Sequence, residues 1–269
     1  MAIDGIKIID SDLAHDIRNA IMEAYDYNEP LEEVISEIER WGKEATDNSI
    51  ETEIWTTSYA QTMWEIGQLS EELLNRAKTI IERGADPKWH EFSKDAHAKR
   101  QKTLNTFWEK ISQPNPKPRK SKNYTKVSNF LFQQDEVFAI KLPDGQFGFT
   151  ILVDVYHDCG QCYYVFTEIN YTSEYVPTLD FLKGQYVFAR KGLGFDKNRF
   201  VTHKKLMKFQ EEFQLLGSLP IAENHRKLGT YSGNCNTLSD FTSDWNDAYP
   251  NSKQYKLSDF LKETSAENN

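Results

Sequence analysis

The stretch EVFAIKLPDGQFGFTILVDVY, residues 136–156, decides the fold. Both of its arms are aromatic and β-branched, which suits a pleated surface. Between them Asp144-Gly145 supplies turn chemistry with a left-handed position. The pattern predicts a hairpin. Val137, Phe138, Ile140 and Leu142 with Phe147, Phe149, Ile151 and Val153 are expected to bury one side of it. Asp144 is read as a turn residue rather than a catalytic one.

Working toward the C-terminus, a second turn at HDCGQ (157–161) leads into CYYVFTEI (162–169), which is expected to pair back on the hairpin. QYVFAR (185–190) and RFVTH (199–203) read as two further strands. Short neighbouring strands joined by tight turns imply an antiparallel sheet, here expected to be curled. HKKLMKFQEEFQLLG (203–217) is read as a further strand or a short helix. Beyond about residue 224 the chain is rich in Asn, Ser and Asp. Trp245, Tyr249, Tyr255, Leu257 and Phe260 stand out there as anchors.

Upstream the period changes to that of helices. DSDLAHDIRNAIMEAY offers Asp10, Ser11 and Asp12 as caps and places Leu13, Ile17, Ile21 and Ala24 on one face. EPLEEVISEIERWGKEA tolerates Pro30 in its first turn and carries Leu31, Val34, Ile35, Ile38 and Trp41 as a stripe. A third helix is expected over about 52–67, with Trp55, Tyr59, Met63, Trp64 and Ile66. A fourth begins at Ser70 and stops at Gly84. A fifth is expected over about 88–111, with Phe92, Ala96, Leu104, Phe107, Trp108 and Ile111 inward. The fold class expected is α+β: an N-terminal helical bundle over 1–111, followed by a curled antiparallel β domain over 127–269 with an irregular tail. Between them lies SQPNPKPRKSKNYTK, residues 112–126, whose three prolines interrupt any helix. It reads as a basic, solvated, semi-extended linker.

Composition narrows the function. The chain has 269 residues, 13% of them aromatic, and a formal net charge of −9. That many aromatic rings support a sizeable core without staples, or supply anchors on a contact surface. A broad nucleic-acid footprint requires a basic domain, so no direct nucleic-acid partner is expected. Negative charge instead steers a basic protein toward the chain. No run approaches eighteen apolar residues, so no membrane span is expected. The acidic start lacks a signal-peptide pattern, and three cysteines are too few for a secreted disulfide framework. The expected location is cytoplasmic.

Candidate chemistry is sparse. Cys159 and Cys162 have the spacing of a redox pair or of half a zinc site, with His157 and Cys235 as further donors. A redox pair favours a helix start for its first thiol, whereas a strand pattern follows here. The hairpin reading is therefore preferred, with metal and redox readings left open. KGLGFDKNRF (191–200) lacks the context of a phosphate loop and is read as a turn. His90 and His97, seven apart, are placed on one helix face. Glu91 and Asp95 lie one turn apart, and His15-Asp16 sit on the first helix. His203 and His225 have no evident carboxylate partner. Spacing assembles no catalytic set, so no enzyme activity, cofactor or metal is expected.

The stretch around the opening hairpin resembles the signature of immunity protein family 26, which accompanies bacterial polymorphic toxins. Asp135, Glu136, Val137, Phe138, Ala139 and Ile140 match its opening. Leu142, Pro143, Asp144, Gly145, Phe147, Gly148 and Phe149 match its turn and second strand. Lys141 stands where proline is common. The likeness covers about 127–225. Ser11, Asp12, Leu13, Ala14, His15 and Asp16 are similar to the opening of a small bacterial domain family of unknown function. The resemblance implies an immunity protein that binds a cognate toxin domain, basic and possessing nuclease-type chemistry, and blocks its active site or substrate surface. Acidic side chains around an aromatic centre are then expected at the contact. The candidates are Glu32, Glu33 and Glu37 on the second helix, Glu51 and Glu53 before the third, and Tyr163, Tyr164, Tyr171 and Tyr175 on the sheet. The alternatives are a nucleic-acid-binding or adaptor module, and a metal-dependent hydrolase.

Overall fold

A computed structural model describes residues 2–44, 49–190, 194–226, 232–245, 247 and 252–262. The chain forms two compact units, 1–125 and 126–269. The first is helical; the second is an open sheet of mixed topology, mainly antiparallel.

The helical unit contains α1 (Asp12–Asp26), α2 (Glu32–Glu44), α3 (Ser49–Glu65), α4 (Glu71–Arg83) and α5 (Ala96–Ile111). Local chemistry sets their ends. Ser11 accepts from the Ala14 amide and Ser70 from the Leu73 amide, each satisfying an orphan donor. Gly84 closes α4 at φ +92°. Helix α3 packs against α1 and α4 and is buried nearly all round from Glu53 to Ala60. Its hydroxyls survive burial by bonding back along the helix: Thr57 Oγ1 donates to the Glu53 carbonyl (2.9 Å) and Thr62 Oγ1 to that of Ser58 (2.8 Å). The expected fifth helix is broken. A 3₁₀ turn, Pro87–Glu91, is capped by Asp86 and buries Trp89, and α5 starts only at Ala96. The break turns Phe92 outward, where it is 50% exposed instead of inward-facing.

Segment 112–125 lies along this helical unit. Trp64 Nε1 donates to the Gln113 carbonyl (2.7 Å), and the Arg119 amide donates to the Glu65 carbonyl (2.8 Å). The Arg119 guanidinium forks onto both Asp26 oxygens at 2.7 and 2.6 Å, while the Lys122 amide donates to Asp26 Oδ1 at 3.1 Å. The stretch read as a solvated connector is thus a strap, and two of its basic residues, Arg119 and Lys122, answer a buried carboxylate. The Arg119 hydrogen bonds, with those from Lys122 in support, hold the Asp26 carboxyl below its ordinary value despite burial. A depressed folded pKa means this stabilisation is present above the unfolded value, about 4, and fades as pH falls through the folded one. Asp26→Asn is expected to lower stability by about 1.5–3 kcal/mol at pH 7. It should also flatten the acid limb of a stability–pH curve followed by urea melts from pH 7 to 2. An unchanged acid limb would refute the strap.

In the sheet unit, β1 (Glu136–Lys141), β2 (Phe147–Asp158) and β3 (Gln161–Ser173) form the expected antiparallel meander. The remaining strands are β4 (Tyr186–Arg190), β5 (Gly194–Phe195), β6 (Asn198–Thr202), β7 (Phe213–Ser218), β8 (Ser232–Asn234) and β9 (Lys253–Lys256). The main order is β5-β4-β3-β2-β1-β7. Strand β3 forks: its residues 163–167 pair with β6 and Ile169 pairs with β4. The β6–β8 pair is parallel, and β9 adds to β4. Gly145 takes φ +87° at the first turn, where Asp144 Oδ1 accepts from the Gln146 amide (2.9 Å).

The hairpin does not bury one side; it is buried on both. Val137, Phe149, Ile151 and Val153 join one core with Leu182 of α6 (Leu179–Lys183), Ile221 and Leu257. Phe138, Ile140 and Leu142 join the opposite core with Leu206 of α7 (His203–Leu206), Phe213 and Phe241 of α8 (Leu238–Thr242). The physical reason is the period of two, which sends alternate side chains to opposite faces. Segment 203–217 provides both of its expected elements, α7 and β7. The irregular tail covers both cores: Trp245 packs on one, Leu257 and Phe260 on the other. Tyr249 lies outside the described residues. Gly148 is demanded by this cover, since a Cβ there would sit 2.5 Å from the Trp245 ring.

Candidate functional site

The expected contact residues divide by burial. Glu32, Glu33 and Glu37 are exposed on α2, and Glu51 is half-buried. Glu53 is a correction: it is fully buried. Its Oε1 accepts from Arg100 Nε (2.7 Å) and Trp89 Nε1 (3.1 Å), and its Oε2 accepts from the Asp86 amide (2.8 Å). Position 53 falls on the inward face of the central helix, where an acid persists only if paired. Tyr164 is a second correction. It is fully buried, accepts from the Leu131 amide (2.9 Å), and lies 3.1 Å from His203 Nδ1. Burial pushes its hydroxyl pKa up to about 12. Tyr163 stacks on Tyr156 across the strands, with centroids 5.4 Å apart.

Tyr171 lies near the end of β3 and Tyr175 on the crossover from β3 through α6 to β4, and here large rings face solvent. Tyr175 is 69% exposed, Phe181 46% and Tyr186 42%. Phe181 rests on Tyr171, with centroids 5.1 Å apart, and Tyr171 stacks on Phe149 of the core. Phe181 is therefore braced by packed rings below it. Thr178 caps α6 by accepting from the Phe181 amide (3.3 Å), fixing the turn that presents the ring. Leu179 reaches across to β7, where a Cβ on Gly217 would meet it at 3.0 Å. Strand β7 pairs with β1 and carries Leu215, 54% exposed. Sequence reasoning found Tyr171 and Tyr175 but missed Phe181 and Tyr186. Their strand-like and helix-like contexts carry no mark of exposure.

The cysteines form a hairpin. Cys159 and Gly160 have φ +49° and +80°, the two positive values of a type I′ loop, and Asp158 pairs with Gln161. Cys159 is exposed and Cys162 buried, and neither is in a disulfide. Burial pushes the Cys162 thiol up to about 11, so it stays protonated at neutral pH. His157 accepts from the Val127 amide at Nε2 (2.9 Å), and burial first, then Lys126, lowers its pKa. Among the described residues no group of three or more His, Cys, Asp or Glu side chains is arranged to hold a metal. His90 and His97 do meet, stacked with centroids 4.3 Å apart, although the break places them on different elements.

The stretch KGLGFDKNRF contains what sequence reasoning missed most. Residues 191–193 lie outside the described residues. Asp196, Lys197 and Asn198, which fall in the stretch read as a turn, and Arg199, which opens an expected strand, are all buried. Lys197 Nζ and Arg199 Nη2 converge on Glu168, at 2.9 and 3.3 Å. They also donate to carbonyls of the tail, Lys197 to Asp244 (2.8 Å) and Arg199 to Ser243 (2.7 Å). Arg190 and Ser252 hold Asp196 Oδ2, at 3.1 and 2.7 Å. Desolvation lowers the Lys197 pKa, only partly opposed by Glu168. Enclosed by its own chain, this cluster pins the tail to β3 and β6 rather than meeting solvent. Among the described residues no helix is long and apolar enough to cross a membrane. No protein-family model, no curated protein and no solved structure matches this chain.

Proposed function

We propose that this chain is a protein-binding inhibitor that neutralises a toxin-type partner by covering its surface, as its hairpin's resemblance to immunity protein family 26 implies. The observation that carries the reading is the exposure of three aromatic rings, Tyr175, Phe181 and Tyr186, within twelve residues of chain around the β3–α6–β4 crossover. A ring braced from below, as Phe181 is by Tyr171, loses little freedom on binding, and large aromatic side chains dominate interface energetics. The net charge of −9 supports a basic partner, since it accelerates encounter with one. The exposed Glu32, Glu33 and Glu37 add to that field. Inhibition by coverage needs no reactive group from this chain.

The test is co-expression with the protein encoded by the neighbouring gene, followed by copurification and a survival assay. The wild-type chain should copurify and rescue growth. The triple variant Tyr175→Ala, Phe181→Asp, Tyr186→Ala should fold and yet lose more than tenfold in affinity, because a central ring contributes about 2 kcal/mol. Undiminished binding by that variant would remove these rings from the contact. Rescue without any complex would end the inhibitor reading.

A further inference from the structure

The helical unit carries a groove of about 570 Å³ that the partner-binding reading does not use. One wall is a face of α5: Lys99, Lys102, Thr103, Thr106, Phe107 and Lys110. These positions recur at helical spacing, so they share one side of the helix. The opposite wall is the segment Ile6–Ile9, and Gln61 of α3 contributes at the base. The floor is apolar, with Ile8 and Phe107 buried. The rim holds four lysines, Lys7, Lys99, Lys102 and Lys110, and no lining residue is acidic.

That charge pattern is unusual for its setting, because residues 1–111 carry a net charge of −10. The nearest carboxylates account for little of it. Asp95 lies 3.7 Å from Lys99. Glu65 is engaged by Arg18 (2.8 Å) and by the Gln61 amide (3.1 Å). Asp10 accepts the backbone amide of Lys7 (3.0 Å). Lys110 Nζ sits 4.6 Å from the centroid of the Trp64 ring. Among the described residues Lys7 and Lys102 enter no ion pair. With Lys99 shared with Asp95, the exposed amines of Lys7, Lys102 and Lys110 leave a local excess of positive charge beside the apolar floor, which favours an anion seated there.

The walls are also held in place. Arg100, on the inner side of α5, donates from Nη1 to the carbonyls of Ile6 (3.0 Å) and Lys7 (2.7 Å). The open segment is thus tied to the helix it faces, and the groove exists before any ligand arrives. Preformed apolar sites of roughly 300–1,000 Å³ with a few converging polar groups are the usual form of small-molecule sites.

We propose that this groove binds a small amphipathic carboxylate, its apolar body on Ile6, Ile8, Ile9 and Phe107 and its head among the lysine amines. Nucleic acid is disfavoured by the chain's overall negative charge. An anion without an apolar body would leave the floor unused.

The test uses the full chain and the fluorescent probe 1-anilinonaphthalene-8-sulfonate, which joins an apolar body to one anionic head. Its neutral comparator is N-phenyl-1-naphthylamine. The sulfonate should bind one site saturably with Kd on the order of 10 µM. Decanoate should displace it, whereas decanol and inorganic phosphate should do so at least tenfold less well. Lys7→Glu with Lys102→Glu should weaken probe binding at least tenfold, and Thr106→Trp should fill the groove and do the same. Lys204→Glu in the sheet unit should change nothing, and circular dichroism should report native folding for every variant. Full binding by the double lysine variant, equal binding of the neutral comparator, or equal displacement by phosphate would each overturn the proposal. So would many weak, unsaturable sites.

Discussion

Glu168→Gln is expected to lower the stability of the sheet unit by about 3–5 kcal/mol, since it leaves buried cations without their counter-charge. In the native chain one carboxylate answers both Lys197 and Arg199, and all three side chains are buried. A loss of that size corresponds to a fall in melting midpoint of roughly 10–15 °C for a unit of this length. The loss should depend on pH in a specific way. Desolvation already lowers the Lys197 pKa, and Glu168 is the main force opposing it. Without the carboxylate, Lys197 gives up its proton more readily in the folded state than in the unfolded one. The unfolded chain then binds more protons, so stability rises with pH until the unfolded lysine value near 10 is reached. Calorimetry from pH 6 to 9 should therefore show the variant recovering part of its deficit as pH rises. Adding Lys197→Met should restore part of the loss at pH 6 and remove most of that slope. A variant within about 1 kcal/mol of wild type would mean the cluster is not the pin described.

The second large effect is expected in the helical unit. Glu53→Gln should lower its stability by about 3–5 kcal/mol, a midpoint fall of roughly 10–20 °C. Glu53 gathers Arg100, the Trp89 indole and the Asp86 amide, and Arg83 approaches at 3.9 Å. Burial lowers the Arg100 pKa, with Glu53 opposing. A guanidinium nevertheless stays charged across the working range. The deficit should accordingly be flat between pH 6 and 9, in contrast to Glu168→Gln. Glu53→Gln combined with Arg100→Met should be more stable than Glu53→Gln alone, because no stranded charge remains. The double variant also unties the Ile6 and Lys7 carbonyls from α5, so its groove should bind the anionic probe more weakly even where folding is recovered. A pH-dependent deficit, or a double variant no better than the single one, would contradict this account.

These two carboxylates mark where reading by sequence stopped. Sequence reading places Glu53 before the third helix as a contact candidate, whereas it lies within α3. Only the packing of α3 among its neighbours turns that position inward. Likewise Asp196-Lys197-Asn198 sits in a stretch whose polar residues read as a turn. The tail, 40 to 50 residues further on, supplies the Asp244 and Ser243 carbonyls that make its burial tolerable. Local signals did better. Ser11 and Ser70 cap as expected, Gly84 ends its helix, and Asp144-Gly145 turns the hairpin. The same local chemistry also hid the break at 92–95, because apolar spacing runs across it and the 3₁₀ turn depends on Asp86 and the burial of Trp89. In the candidate contact, Tyr175 was named from sequence while Phe181 and Tyr186 were not, since exposure depends on what else packs nearby.

By itself the sequence determined the switch from helical to strand period near residue 130, the caps and turns that delimit most elements, and the absence of any long apolar run. These depend on neighbours within a few residues, so chain order carries them. Only the tertiary structure decided that the sheet is covered on both faces, that segment 112–125 is strapped to α1 and α3, and that two acids lie buried with their cations. Those outcomes depend on partners 29 to 93 residues away. Whether a charge meets water or another charge is settled by the packing that surrounds it, not by the residues beside it in the chain.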